Sequence, residues 1–299
     1  MMDKLLFTGA SGFLGRNIIP ILKEKYEITT CGFSPDDMIN VNLAYKVPNL
    51  HVRYDVVLHA CGKAHVVPRR EEEKEAFYDV NYTGTVHLCE ALEKVGVPKS
   101  FIFISTVAVY GCNIGINIDE NHPLGGVTPY AKSKIMAEKY LSKWCSKHAV
   151  TLAILRPALL AGTNPPGNLG LMINGIKKGR YMSIAGGKAR KSMLMVQDIA
   201  NLVPKIVEKG GIYNVCDDIH PSFRELEHLI CKQSGMNMPF EVPFWFAKIL
   251  AVIGDRLGGK IPINSSRLDK MTKDLTFSNA KAKRDLGWYP LPVLDFFEI

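Results

Sequence analysis

Two kinds of apolar pattern alternate along the first half of the chain. Runs such as Leu5-Leu6-Phe7, Val56-Val57-Leu58 and Phe101-Ile102-Phe103-Ile104 are apolar at every position, which a parallel strand buried on both faces requires and a half-solvated strand does not. Between them, apolar residues recur at helical spacing. The pattern predicts strands over Lys4–Thr8, Glu27–Cys31, Val56–His59, Phe101–Ser105 and Thr151–Leu155, and helices over Leu14–Lys25, Glu72–Val95 and Tyr130–His148. Strands that alternate with helices in this way predict an α/β protein with a doubly wound parallel sheet.

The pattern changes after Arg156-Pro157. A stretch rich in Gly, Asn and Pro (162–170) leads into shorter helical pieces, and Ile212–Cys216 reads again as a buried strand. Residues 1–157 are therefore expected to form the first domain, which the chain rejoins at about 190–218. Residues 158–189 and 219–299 are expected to form a smaller C-terminal substrate-binding lobe. The apolar stretch Val242–Gly254, interrupted by Lys248, is shorter than the roughly 20 residues a bilayer crossing needs, so a packed amphipathic helix is expected and no membrane span. The Glu71–Glu75 charge run suits a solvated first helical turn.

Composition narrows the classes. With 299 residues and 47% hydrophobic content, the chain can bury a large core. The formal charge of +8 comes from dispersed lysines and arginines, so no nucleic-acid tract is indicated. Seven cysteines stand singly, without metal-ligand spacing, which fits reduced, buried thiols and no metal. Met1-Met2-Asp3-Lys4 runs directly into strand pattern with no leader-like order of segments, so the cytoplasm is the expected compartment.

Directly after the first strand stands Thr8-Gly9-Ala10-Ser11-Gly12-Phe13-Leu14-Gly15. Gly9 permits a tight turn, Gly12 lets the backbone approach a pyrophosphate, and Gly15 lets the helix pack closely on the strand. Amides at the helix N-terminus then face the negative charge. This context predicts a Rossmann-type dinucleotide cradle. The acid that holds the ribose 2′-OH of NAD is expected about 20 residues on. Here the second strand ends in Cys31-Gly32-Phe33-Ser34, with no acid before Asp36 and Asp37 and no arginine to clamp a 2′-phosphate, so NAD and NADP both stay open.

Tyr130 and Lys134, four apart at the start of a helix after Thr128-Pro129, share one helical face. A phenol with a reference pKa of about 10 becomes an effective proton carrier when a nearby ammonium stabilises its phenolate. Thr106, at the end of a buried strand, is the hydroxyl that would fix a substrate oxygen beside it. Taken singly, a strand-end cap, a salt bridge and a packing ring explain the three residues. Behind a nucleotide turn, hydride-transfer chemistry explains them together.

On these residues the chain resembles the extended short-chain dehydrogenase/reductase family, within its NAD-dependent epimerase/dehydratase group. Further similar segments are Val56–Gly62, Val80–Thr85, Ser105–Gly111, Pro129–Lys134, Leu155-Arg156-Pro157 and Leu286-Gly287-Trp288. The resemblance implies catalytic Thr106, Tyr130 and Lys134. It implies a cofactor site of Gly9, Ser11, Gly12, Phe13, Leu14, Gly15, Gly32, Ser34, Asn42, Leu43, Ala60, Gly62, Asn81, Ser105, Tyr130, Lys134 and Pro157. It places Thr106, Arg190, Lys191 and Arg267 on the substrate, with Arg190 or Lys191 at its pyrophosphate.

Sugar 4,6-dehydratases of the group carry Asp-Glu where this chain has Val107-Ala108, so elimination of water is not expected. The resemblance points instead to bacterial nucleotide-sugar 4-epimerases and 4-ketoreductases of the UDP-N-acetylquinovosamine dehydrogenase type. The implied substrate is a UDP-linked N-acetylated hexose or 6-deoxyhexose used in surface polysaccharide synthesis, with NAD or NADP as cofactor and a homodimer as the assembly. The alternatives are a reductase of a non-sugar ketone and a non-catalytic NAD(P)-sensing scaffold.

Overall fold

A computed structural model describes residues 2–64, 66–257 and 264–299. Its central sheet holds β1 (Asp3–Thr8), β2 (Tyr26–Gly32), β3 (Ile39–Asn40), β4 (Val56–His59), β5 (Ser100–Ile104), β7 (Thr151–Pro157) and β11 (Gly211–Val215). All pair in parallel, in the order β11-β7-β5-β4-β1-β2-β3. The order reverses between β1 and β4, and a sheet of this kind opens a binding crevice beyond the carboxyl ends of the two strands at the reversal.

Strand register explains the uninterrupted apolar runs. Leu5, Phe7, Val56, Leu58 and Ile102 point to one face and join Ile18 and Leu22 of α1 (Phe13–Leu22) and Leu202 and Val203 of α6 (Gln197–Ile206). Leu6, Val57, Phe101 and Phe103 point to the other. There they meet Leu88 and Leu92 of α3 (Gly84–Val95) and Leu141 and Trp144 of α4 (Pro129–Lys147). With both faces covered by helices, a polar side chain in the middle of these strands is costly unless it finds a partner.

The segment expected as one helix over Glu72–Val95 is three pieces: α2 (Glu71–Tyr78), a π-turn over Asp79–Thr83, and α3. The wide turn carries the fully buried Asn81, whose carboxamide accepts from the Lys63 amide (2.7 Å) and donates to the Ser133 hydroxyl (2.9 Å). Helical periodicity cannot reveal one inserted residue. Such bulges recur where a side chain must be re-aimed at a site.

Outside the central sheet, the described residues form three parallel pairs: β6 (Gly115–Ile118) with β13 (Leu275–Phe277), β8 (Leu159–Ala161) with β10 (Met193–Met195), and β9 (Met182–Ile184) with β12 (Phe240–Val242). A separate core of Leu169, Met172, Ile173 and Ile176 from α5 (Gly167–Lys177) packs against Leu226 and Ile230 of α7 (Phe223–Ser234). The stretch Val242–Gly254 forms most of α8 (Phe244–Leu257), but its packing inverts the usual order. The small Ala247, Ala251 and Gly254 turn inward, beside α9 (Ser265–Thr272), while Trp245, Phe246, Ile249, Val252 and Ile253 are exposed. No described helix is long and apolar enough to cross a membrane. All seven cysteines are free, and no metal-holding cluster occurs among the described residues.

Candidate active site

At the sheet reversal, Gly9 has φ +80, and a Cβ there would stand 2.7 Å from the Cys61 amide nitrogen. Only glycine lets the β1 turn lie this close to the segment after β4. A methyl on Gly15 would run into the Ala10 carbonyl, which fixes how tightly α1 leaves the turn. Above them a cleft of about 340 Å³ is lined by Gly9, Ser11, Gly12, Gly32, Phe33, Ser34, Ala60, Cys61 and Gly62. Phe33 and Cys61 were missed by sequence reasoning, although both sit between predicted residues. The cleft, with α1 beginning at its floor, fits a dinucleotide whose pyrophosphate meets helix amides.

A buried polar chain locks the two strand ends below the cleft. Thr85 donates its hydroxyl proton to the Asn81 carbonyl (2.8 Å), so its oxygen must accept from His59 Nε2 (2.9 Å). His59 Nδ1 then accepts from the Thr8 hydroxyl (2.6 Å), whose oxygen also receives the Cys61 amide. Burial, with the Lys134 charge adding to it, lowers the His59 pKa to about 3, so the ring is neutral as this assignment requires. The signal in the sequence was a set of polar residues, Thr8 and His59, ending otherwise apolar strands.

Tyr130 lies in the first turn of α4, which Thr128 caps by accepting from the Ala131 amide (3.1 Å), with Pro129 beside it. The buried Phe77 meets the phenol ring edge-on, centroids 6.2 Å apart. Burial raises the Tyr130 pKa, and the Thr106 hydroxyl facing it pulls the other way. Lys134 is not the phenol's main partner. Its ammonium donates to the Ile104 carbonyl (2.8 Å), lies 4.6 Å from the Phe103 ring centroid and flanks Gly62, and burial lowers its pKa to about 8. The expected direct Lys134–phenolate effect is thus replaced by a lysine placed toward the cofactor cleft. The pull on the phenol comes from the Thr106 hydroxyl.

Thr106 follows Ser105, whose hydroxyl donates to Glu138 Oε1 at 2.5 Å. Glu138 holds Arg156 through two bonds, at 3.1 and 2.6 Å. Arg156 donates to the Tyr110 hydroxyl (3.0 Å), which donates to Asn214 (2.6 Å). This network joins the end of β5 to α4, β7 and β11 next to Thr106. Glu138 carried no recognisable motif in the sequence.

Other predicted residues stand further out. Leu14 belongs to the core, Pro157 ends β7 as a buried residue, and Phe13 packs against the same core as Leu14. Asn42 accepts from the Ala44 amide, and Leu43 packs beside Gly84 and accepts from His87. The Arg190 guanidinium is committed to the His220 carbonyl (2.7 Å) and Glu225 (3.3 Å), and the Lys191 ammonium to the Lys273 carbonyl (2.8 Å). Burial brings the Lys191 pKa to about 8. Arg267 is an exposed residue in the first turn of α9.

Known proteins give this arrangement a context. Residues 5–216 match the NAD dependent epimerase/dehydratase family. The chain is 30% identical, over 94% of its length and 89% of the relative's, to N-acetyl-alpha-D-glucosaminyl-diphospho-ditrans,octacis-undecaprenol 4-epimerase of Escherichia coli O157:H7. It is 26% identical to a UDP-glucose 4-epimerase of Vibrio cholerae, over 97% and 92%. Among solved structures it resembles the UDP-glucose 4-epimerase of Thermotoga maritima with a TM-score of 0.74, at 20% identity over 98% of this chain and 95% of that one. Proteins of this fold have been solved with NAD and with NADPH. With a glycine cradle at the sheet reversal, Lys134 beside Gly62 of that cradle and Thr106 facing the Tyr130 phenol, the chain belongs to the NAD-dependent epimerase/dehydratase family, as an NAD(P)-dependent enzyme similar to nucleotide-sugar 4-epimerases.

Proposed function

We propose that this enzyme inverts the C4 hydroxyl of a UDP-linked N-acetylated hexose by transient oxidation and re-reduction. The observation that carries the reading is Thr106 facing the Tyr130 phenol, with Lys134, one helical turn on, lying beside Gly62 of the nucleotide cleft. A nicotinamide cofactor, which the glycine cradle and Lys134 would hold, would supply a hydride acceptor and donor for sugar C4. Thr106 holds O4, and Tyr130 receives the O4 proton as the carbonyl forms and gives it back afterwards. Lys134 holds the ribose hydroxyls and keeps positive charge beneath them. Val107 and Ala108 offer no acid or base for removing water, which sets dehydration aside.

One further substrate carrier has support. The Escherichia coli relative is named for a sugar on a polyprenyl diphosphate. In this chain α8 exposes Trp245, Phe246 and Ile249, and just before it in the chain the exposed Phe240 pairs with the exposed Met182 across β12 and β9, both lining a groove of about 610 Å³ that includes Arg180. Large exposed apolar side chains beside a cation suit a lipid-water boundary.

The test is incubation with UDP-GlcNAc, a 4-keto-6-deoxy UDP-sugar and polyprenyl-diphospho-GlcNAc, without and with NADH or NADPH, and identification of products by mass and NMR. The epimerase reading expects an isomer of unchanged mass without added reductant. It also expects Tyr130→Phe to lower turnover by about 10²–10⁴-fold while NAD still binds. A product heavier by two hydrogens would replace it with a ketoreductase, and full turnover by Tyr130→Phe would refute the assigned proton route.

A further inference from the structure

The end of β2 lacks the acid that ordinarily meets the cofactor ribose, yet the tertiary structure returns one to that place. The chain leaves β2 at Gly32, turns through residues 33–38 and comes back to pair as β3, with Cys31 beside Ile39 and Gly32 beside Asn40. The turn is tied down by Asp37 N to Ser34 O (3.0 Å), Met38 N to Thr30 Oγ1 (2.9 Å) and Asn40 Nδ2 to Ser34 O (2.7 Å). Asp37, only 7% exposed, is thereby folded back over the strand end. Its Oδ2 accepts the Ser34 amide at 3.0 Å and would stand 2.5 Å from any Cβ on Gly32. Gly32, Phe33 and Ser34 are the cleft wall at this corner.

We infer that Asp37 selects NAD over NADP, standing in from the returning turn for a strand-end carboxylate. The chemistry follows from what each cofactor presents here. A ribose 2′-OH can donate to a carboxylate, whereas a 2′-phosphate needs amides or cations and is repelled by one. The Ser34 amide, which could have served a phosphate, is already consumed by Asp37. Residues 31–38 contain no lysine or arginine to offset the repulsion. The same contact gives a reason for glycine at position 32, since a side chain there would displace the carboxylate.

This concerns cofactor binding alone, so it stands or falls separately from the C4 chemistry. Dissociation constants for NAD and NADP, measured by calorimetry on cofactor-stripped protein, test it for the wild type, Asp37→Asn and the neighbouring exposed Asp36→Asn. The wild type is expected to bind NAD at least about tenfold more tightly, the factor produced by about 1.4 kcal/mol. Asp37→Asn is expected to shift the ratio toward NADP by about threefold or more, and Asp36→Asn by less. A wild type that binds NADP as tightly as NAD overturns the inference, and that measurement needs no variant to fold. A shift below about threefold in folded Asp37→Asn, or an equal shift in Asp36→Asn, overturns it as well.

Discussion

Removing the Glu138 charge while keeping its volume, by Glu138→Gln, should destabilise the fold far more than its distance from the cleft suggests. Glu138 and Arg156 are both 4% exposed as side chains and 2.6 Å apart. The glutamine leaves a buried guanidinium without its counter-charge, and breaking a buried pair from one side costs about 3–5 kcal/mol. Arg156→Met should cost a similar amount for the mirror reason. The double variant Glu138→Leu with Arg156→Met buries no orphan charge. It leaves the Ser105 hydroxyl without its acceptor, a loss of about 1–3 kcal/mol, and Tyr110 keeps Asn214. Urea unfolding of the wild type, Glu138→Leu, Arg156→Met and the double variant at neutral pH, compared at equal m-values, gives the cycle, with Glu138→Gln measured beside it. The double variant should lose less than either single variant. If it loses the sum of both, or if each single variant costs under about 1 kcal/mol, the network is not holding the floor of the site as described.

Gly9→Ala should abolish the thermal shift produced by NAD. A left-handed backbone and a methyl 2.7 Å from the Cys61 amide together force the cleft wall to move, at a strain of about 1–3 kcal/mol; an unchanged NAD-induced shift would contradict the close packing. Lys134 gives a pH dependence of defined sign. Its folded pKa of about 8 lies below its unfolded value of 10.5, so the buried cation costs stability below pH 8. That cost is relieved as pH rises between the two values. Relative to Lys134→Met, the wild type without cofactor should therefore gain stability through this window, read by chemical unfolding at each pH. A flat difference would mean that the ammonium is solvated.

Much of the architecture was legible because it depends on local rules. A strand buried on both faces must be apolar at consecutive positions, so β1, β4 and β5 declared themselves within a residue or so of their ends. Gly9 and Gly15 were readable because a tight turn and a close helix approach admit no side chain. Tyr130 and Lys134 were readable because four residues make about one helical turn. Periodicity could not reveal the π-turn at Asn81, where one register shift lies inside an otherwise regular helix. It also could not give the orientation of α8, because an apolar helix reads alike whether its large or its small residues face inward.

The sequence by itself determined the layered fold, the nucleotide turn and the residue types available for proton and hydride chemistry, because these follow from side-chain volume, backbone freedom and spacing along one element. Only the tertiary structure decided which polar groups meet. Lys134 bonds the Ile104 carbonyl, Glu138 and Arg156 neutralise each other next to Thr106, Arg190 is spent on Glu225, and Asp37 returns to the end of β2. Each partnership joins segments whose separation along the chain carries no information about their distance in space, and burial makes an unmade polar contact costly enough to fix them.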